Sequence, residues 1–103
     1  MQKIVDGVLY DTEQAEEVAH FSSHHPKTDF QWFEERLYRT EKGSWFLYGH
    51  GHAMTKYARS VPGGGASGPG KRLVVMSEEE VKSWLERHDF IDVYKEYFDL
   101  ETA

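Results

Sequence analysis

Residues 33–49 read FEERLYRTEKGSWFLYG, two runs of alternating apolar and polar character on either side of Glu41-Lys42-Gly43. Alternation with a period of two marks a strand, so the segment predicts a β-hairpin. A three-residue loop needs a left-handed residue, and Gly43 takes that conformation without steric cost. The loop sets Thr40 opposite Ser44, and the register then pairs Tyr38 with Phe46, Leu37 with Leu47 and Arg36 with Tyr48. One face of the ribbon carries Leu37, Trp45 and Leu47, and the other carries Tyr38, Phe46 and Tyr48. Cross-strand aromatic pairs contribute about 0.2–1 kcal/mol each. That is too little for a hairpin alone, so other elements must cover it.

The flanking pattern predicts those elements. Residues 3–5 and 8–10 surround Asp6-Gly7, a turn-forming pair, and predict a short opening hairpin. Asp11 then has the chemistry of a helix cap, with Gln14 at the third helical position and Glu13, Glu16 and Glu17 near the positive helix end. Ala15, Val18, Ala19 and Phe21 or Ser22 supply its apolar stripe, and Pro26 ends it. A loop at His24-His25-Pro26-Lys27-Thr28 leads through Phe30, Trp32 and Phe33 into the central hairpin. Residues 50–57 are too mixed to assign, beyond a bend or single helical turn around 55–59. Residues 60–70 hold five glycines and two prolines, a composition that predicts a mobile loop. Residues 72–76, RLVVM, are apolar enough for a central strand. Ser77 and Glu80 form a capping box, ahead of a helix burying Val81, Trp84, Leu85 and His88. Asp89 interrupts or recaps that helix, and a last helix turns Phe90, Ile91, Tyr94, Tyr97 and Phe98 inward. The expected fold is α+β: a small antiparallel sheet made from the N-terminal hairpin, the central hairpin and one further strand, packed with about three helices. With 103 residues it forms one domain, 1–103.

Composition sharpens this picture. Six Phe, six Tyr and three Trp let a modestly hydrophobic chain bury a core. The absence of cysteine excludes disulfides, thiolate zinc sites and a cysteine nucleophile. No apolar run has membrane-span length and MQKIVDG lacks a signal-peptide core, so a cytoplasmic location is expected. The formal net charge is −6, and its distribution is uneven: residues 1–77 hold nine acids and nine Lys/Arg, whereas 78–103 hold nine acids and three bases. Between Lys42 and Ser77 there is no acid. Such lopsidedness steers an oppositely charged partner.

Four constellations carry candidate chemistry. On a helix, Asp89, Asp92, Glu96 and Asp99 step by three, four and three, which makes a negative stripe on one face, with Glu86 and Glu79 as further candidate partner contacts; the plainer account is the solvated face of an amphipathic helix. Like charges at this spacing oppose the helix by about 0.2–0.5 kcal/mol per pair, which invites a cationic partner. His20 and His24 at helical spacing, with His50 and His52 flanking Gly51, form two imidazole pairs; without cysteine they read as surface histidines, with a nitrogen-ligated metal site as the alternative. Residues 65–71, GASGPGK, match most of a phosphate-binding loop, but Arg72 stands where Ser or Thr should hold magnesium, and a strand rather than a helix follows. Tyr48, Tyr57, Lys56, Arg59, Lys71 and Arg72 combine cations with aromatics, as nucleic-acid contacts do, but net acidity argues against direct nucleic-acid binding, and pairing with the chain's own acidic helices is the plainer account. No serine, histidine and aspartate set is marked as a catalytic triad, and no cofactor is expected.

The segments Gly7-Val8-Leu9-Tyr10-Asp11-Thr12-Glu13, Leu37-Tyr38-Arg39-Thr40, Lys42-Gly43, Phe46-Leu47-Tyr48-Gly49, Lys56-Tyr57-Ala58 and Ser77-Glu78-Glu79-Glu80 together resemble small acidic bacterial proteins carried on phages and conjugative elements. The pairing of FLYG with KYA is the most specific part, and the sequence departs from the pattern at His50, at His52 and in the length of its glycine loop. Proteins of this kind include anti-CRISPR proteins. The resemblance implies a non-enzymatic inhibitor, monomeric or homodimeric, that binds a CRISPR effector and blocks target-DNA binding or cleavage, with the acidic residues mimicking DNA. A His-ligated metal protein and a mobile-element regulatory adaptor are the alternatives.

Overall fold

A computed structural model describes residues 1–60, 62–63 and 67–103. The opening hairpin forms as expected from β1 (Gln2–Val5) and β2 (Val8–Asp11). Asp6 and Gly7 both take positive φ, the turn that fits a right-twisted ribbon. The next element differs from expectation. Residues of the expected N-terminal helix form β3 (Glu16–Ser22), an edge strand paired with β4 (Phe33–Arg39). The capping chemistry at Asp11 is real but closes only a turn, its carboxylate accepting from the Glu13 N–H at 2.9 Å. A register shift between Glu17 and Ala19 leaves Val18 as the extra residue of a bulge. The bulge places Glu17 and His20 toward one face of the sheet, and Val18, Ala19 and Phe21 toward the core on the other. A step of three therefore replaces a step of two, and the pattern imitates a helix.

The central hairpin joins β4 to β5 (Trp45–Gly51) in the expected register, with Tyr38 facing Phe46, Leu37 facing Leu47 and Arg36 facing Tyr48. Thr40 donates its N–H to the Ser44 carbonyl at 2.9 Å, and Gly43 takes φ +85°. A turn at 55–58 follows, closed by the Ala58 N–H on the Thr55 carbonyl. Within the stretch expected to be a mobile loop, β6 (Arg59–Ser60) pairs with β7 (Ser67–Gly68). Residues 62–63 lie in a turn, and residues 61 and 64–66 of that expectation lie outside the described residues, as does part of the phosphate-loop match. The strand expected at 72–76 is β8 (Gly70–Met76). It is an edge strand rather than a central one, because the sheet order is β3-β4-β5-β8. Its polar N-terminal half, with Lys71 and Arg72 exposed, suits an edge.

Each face of this sheet is covered differently. Leu37, Trp45 and Leu47 pack with Ala19 against Val81, Trp84 and Leu85 of α1 (Glu78–Arg87). The Ser77–Glu80 capping box is present, the Glu80 N–H bonding the Ser77 hydroxyl at 3.2 Å and the Ser77 N–H bonding the Glu80 carboxylate at 3.0 Å. Asp89, at φ +57°, breaks the path before α2 (Ile91–Tyr97). Phe90, Tyr94, Tyr97 and Phe98 pack against this core as expected, whereas Ile91 is 56% exposed. On the opposite face, Tyr38, Phe46 and Leu73 meet Tyr10 of the first hairpin, with Tyr38 stacked on Phe46 at 5.0 Å. The α+β class and antiparallel pairing hold, but the N-terminal hairpin forms a separate two-stranded sheet instead of joining the main one, its expected place being taken by β3; with the first expected helix turned into that strand, the described residues form two helices rather than three. No helix among the described residues is long and apolar enough to cross a membrane.

Candidate functional site

Two consecutive carboxylates, Glu34 and Glu35, sit in the middle of β4, and strand alternation sends them to opposite faces of the sheet. Glu35 points into the helix-covered face and is 1% exposed. It accepts the Trp84 indole N–H at 3.0 Å, a short hydrogen bond from the Tyr57 hydroxyl, and the Lys56 ammonium at 2.7 Å. His88 stands 3.9 Å away, stacked on Phe21. Burial pushes the Glu35 carboxyl up, but the three donors outweigh it and hold the group below its usual range, ionised. Burial, reinforced by the Glu35 charge, keeps the Tyr57 phenol protonated well above its usual range. Burial also lowers His88 more than Glu35 raises it, which keeps that imidazole neutral. One carboxylate thus ties together β4, the 55–58 turn and α1. Its oxygens are saturated and closed to solvent, the condition of a structural hub rather than of a base awaiting a substrate.

The same hub brings the FLYG and KYA segments of this chain together. Lys56 and Tyr57 both bond Glu35, and the Tyr57 ring lies over Gly49, where an added Cβ would come within 2.0 Å of the phenol.

Glu34 points to the other face, where Arg36, Tyr48, His50 and Lys71 share its side of the sheet. It accepts from His20 Nε2 at 2.8 Å and His50 Nε2 at 2.5 Å, with the Arg36 guanidinium at 3.5 Å. Burial raises its carboxyl, but the two imidazole bonds and the Arg36 charge prevail and bring it to about 2. Because the folded value lies below the ordinary 4.5, Glu34 stabilises the fold fully above pH 4.5 and loses that contribution as pH falls through about 2. Glu34→Gln should therefore lower the urea midpoint at pH 7, with the gap from the parent narrowing steadily below pH 4.5. A gap that stays constant down to pH 2 would contradict the ionised carboxylate.

The histidine pairs do not converge. His20 and His50 meet on Glu34, His52 bonds the Lys27 carbonyl at 2.7 Å, and His24 is exposed in the bend after β3. Among the described residues no group of three or more His, Asp and Glu is placed to hold a metal ion.

The acidic stripe is divided. Only Asp92 and Glu96 lie within α2; Asp89 precedes it in the left-handed break, and Asp99 follows the extended Phe98. Glu86 and Asp89 line one groove, whereas Glu96 and Asp99 line another together with Lys82 and Lys95. The cause is local: Asp89 and the non-helical Phe98 shorten the helix to seven residues. Even so, all nine carboxylates of 78–103 are exposed, and among the described residues only Glu79 forms an ion pair, at 4.0 Å to Lys82.

The basic residues of 42–77 also separate by face. Lys56 and Arg72 lie over Tyr57, whereas Tyr48, Arg59 and Lys71 line a groove on the open sheet face. Among the described residues none of these bases pairs with an acid of the helices, so the plainer account of mutual neutralisation does not hold. Sequence reasoning missed Glu34 and Glu35. The signal available was two adjacent acids inside a strand otherwise flanked by core residues.

Comparison with protein-family models, with curated proteins and with solved structures finds no match to this chain.

Proposed function

We propose that this protein is a non-enzymatic inhibitor that docks its acidic helical layer on the cationic surface of a nucleic-acid-handling protein, with a CRISPR effector as the specific target. The single observation carrying this reading is the exposed and largely unpaired state of the nine carboxylates in residues 78–103. Glu17, Glu34 and Glu35 of the sheet are matched by the chain's own cations, whereas residues 78–103 carry nine acids against three bases. Charge left uncompensated on one side attracts a Lys/Arg-lined channel, speeds association and weakens with salt. The resemblance to mobile-element proteins supplies the candidate partner. Asp89, Asp92, Glu96 and Asp99, with Glu79 and Glu86, form the contact surface in this reading, spread over α1, α2 and the residues flanking α2 rather than along one stripe.

The test is inhibition of target cleavage by purified effectors of several CRISPR types. The parent should suppress one of them, and Asp92→Lys, Glu96→Lys and Asp99→Lys combined should abolish suppression while the far-UV spectrum stays native. Undiminished inhibition by the folded triple variant would remove these residues from the mechanism.

A further inference from the structure

We propose that the open face of the four-stranded sheet binds single-stranded nucleic acid. The first hairpin covers only the end of this face near Tyr38, Phe46 and Leu73. Beyond it lies a groove of about 570 Å³ lined by Tyr48, His50, His52, Arg59 and Lys71. Tyr48 and His50 follow each other on the same side of β5, with ring centroids 6.1 Å apart. Buried Trp32 backs both imidazoles, at 5.3 Å from His50 and 5.2 Å from His52. The two imidazoles are thereby held in place while half-exposed, and Tyr48, half-buried, is held by packing against the hairpin-covered cluster. Carboxylates and carbonyls only accept, so Glu34 and the Lys27 carbonyl each fix a histidine as an Nε2–H donor.

Cations flank the rings. Lys71 sits opposite His50 in the β5–β8 ladder, and neither Lys71 nor Arg59 has an ion-pair partner among the described residues. Arg59 donates Nε to the Pro69 carbonyl at 3.1 Å, which keeps its guanidinium at the groove edge. The acid nearest the groove is Glu34, already engaged by His20, His50 and Arg36. Glu17, on the same face, is held by Arg36 at 2.8 Å. Aromatic rings beside unpaired cations accept bases by stacking and phosphates by charge. A duplex hides its base faces, so the rings select an unpaired strand. This surface is remote from the helical acids in the layer order, and it can be tested without any protein partner.

The experiment is fluorescence anisotropy of the full chain with a labelled twelve-nucleotide oligothymidylate, across a salt series beginning at low ionic strength. Contacts from Arg59 and Lys71 predict a slope of log affinity against log salt of about −1.4. Lys71→Ala should reduce that slope by about 0.7, and Lys71→Arg should restore it. Tyr48→Ala should weaken binding about tenfold, with Tyr48→Phe close to the parent. A heparin fragment, charged but without bases, should bind more weakly and ignore the Tyr48 substitutions. The proposal is overturned if the oligonucleotide does not bind at low salt, or if Lys71→Ala leaves the slope unchanged. It is equally overturned if heparin binds as tightly as the strand.

Discussion

Glu35→Ala is expected to lower the unfolding free energy by about 3–5 kcal/mol, the scale on which buried charge networks fail when one partner is removed. The reason is the set of groups left behind. Tyr57 and Trp84 are 5% and 2% exposed, so the phenol O–H and indole N–H lose their acceptor with no route to water. The Lys56 side chain, 50% exposed, can turn outward and contributes little to the loss. Glu35→Gln keeps an acceptor for one donor and should fall between parent and alanine variant. Urea unfolding at pH 7 measures both. An alanine variant within about 1 kcal/mol of the parent would mean that the three donors are satisfied elsewhere.

The second large effect is expected at Gly49→Ala. A methyl group there falls 2.0 Å from the Tyr57 ring, which is fixed at its hydroxyl end by Glu35 and cannot swing away freely. Overpacking of this kind costs about 1–3 kcal/mol, and loss of the Glu35 bond places this case at the upper end. The two residues should therefore be strongly coupled. In a Tyr57→Leu background, whose side chain stops short of the clash, the added cost of Gly49→Ala should fall below about 0.5 kcal/mol. Additive costs in the double-mutant cycle would show that Gly49 is required for some reason other than Tyr57.

Much of this architecture is readable from residue order, and the failures have physical causes. The central hairpin, the first hairpin and the Ser77 cap rest on local chemistry: turn residues, alternation and reciprocal backbone bonds. The error at 11–22 has a specific origin. Asp11 does cap a turn, and the bulge at Val18 converts strand spacing into helical spacing, so two local signals agreed on the wrong element. Only pairing with β4, a long-range contact, decides it. Likewise, the spacing of Asp89, Asp92, Glu96 and Asp99 describes one face only if a continuous helix runs through all four, and the positive φ of Asp89 prevents that. Glu34 and Glu35 escape a reading of residue order for a different reason. Their partners lie as far as 49 residues away in sequence, and adjacent acids in isolation look like surface residues. Spacing groups His20 with His24 and His50 with His52, whereas the fold groups His20 with His50 across three strands and leaves His24 aside.

The two charged surfaces lie on different layers, the acids on the helices and the free cations on the opposite sheet face. In our account the first layer meets protein and the second meets a nucleic-acid strand. A protein that inhibits a nucleic-acid enzyme has use for both, because it can occupy the channel while retaining the strand displaced from it.

The most direct test of the proposed function is the equilibrium affinity for one purified CRISPR effector, measured at low and at physiological salt for the parent and for the triple lysine variant at 92, 96 and 99. The account predicts tight binding by the parent that weakens as salt rises, and binding by the folded variant that is lost at both concentrations. Equal affinity of parent and variant, or parent binding indifferent to salt, would contradict it.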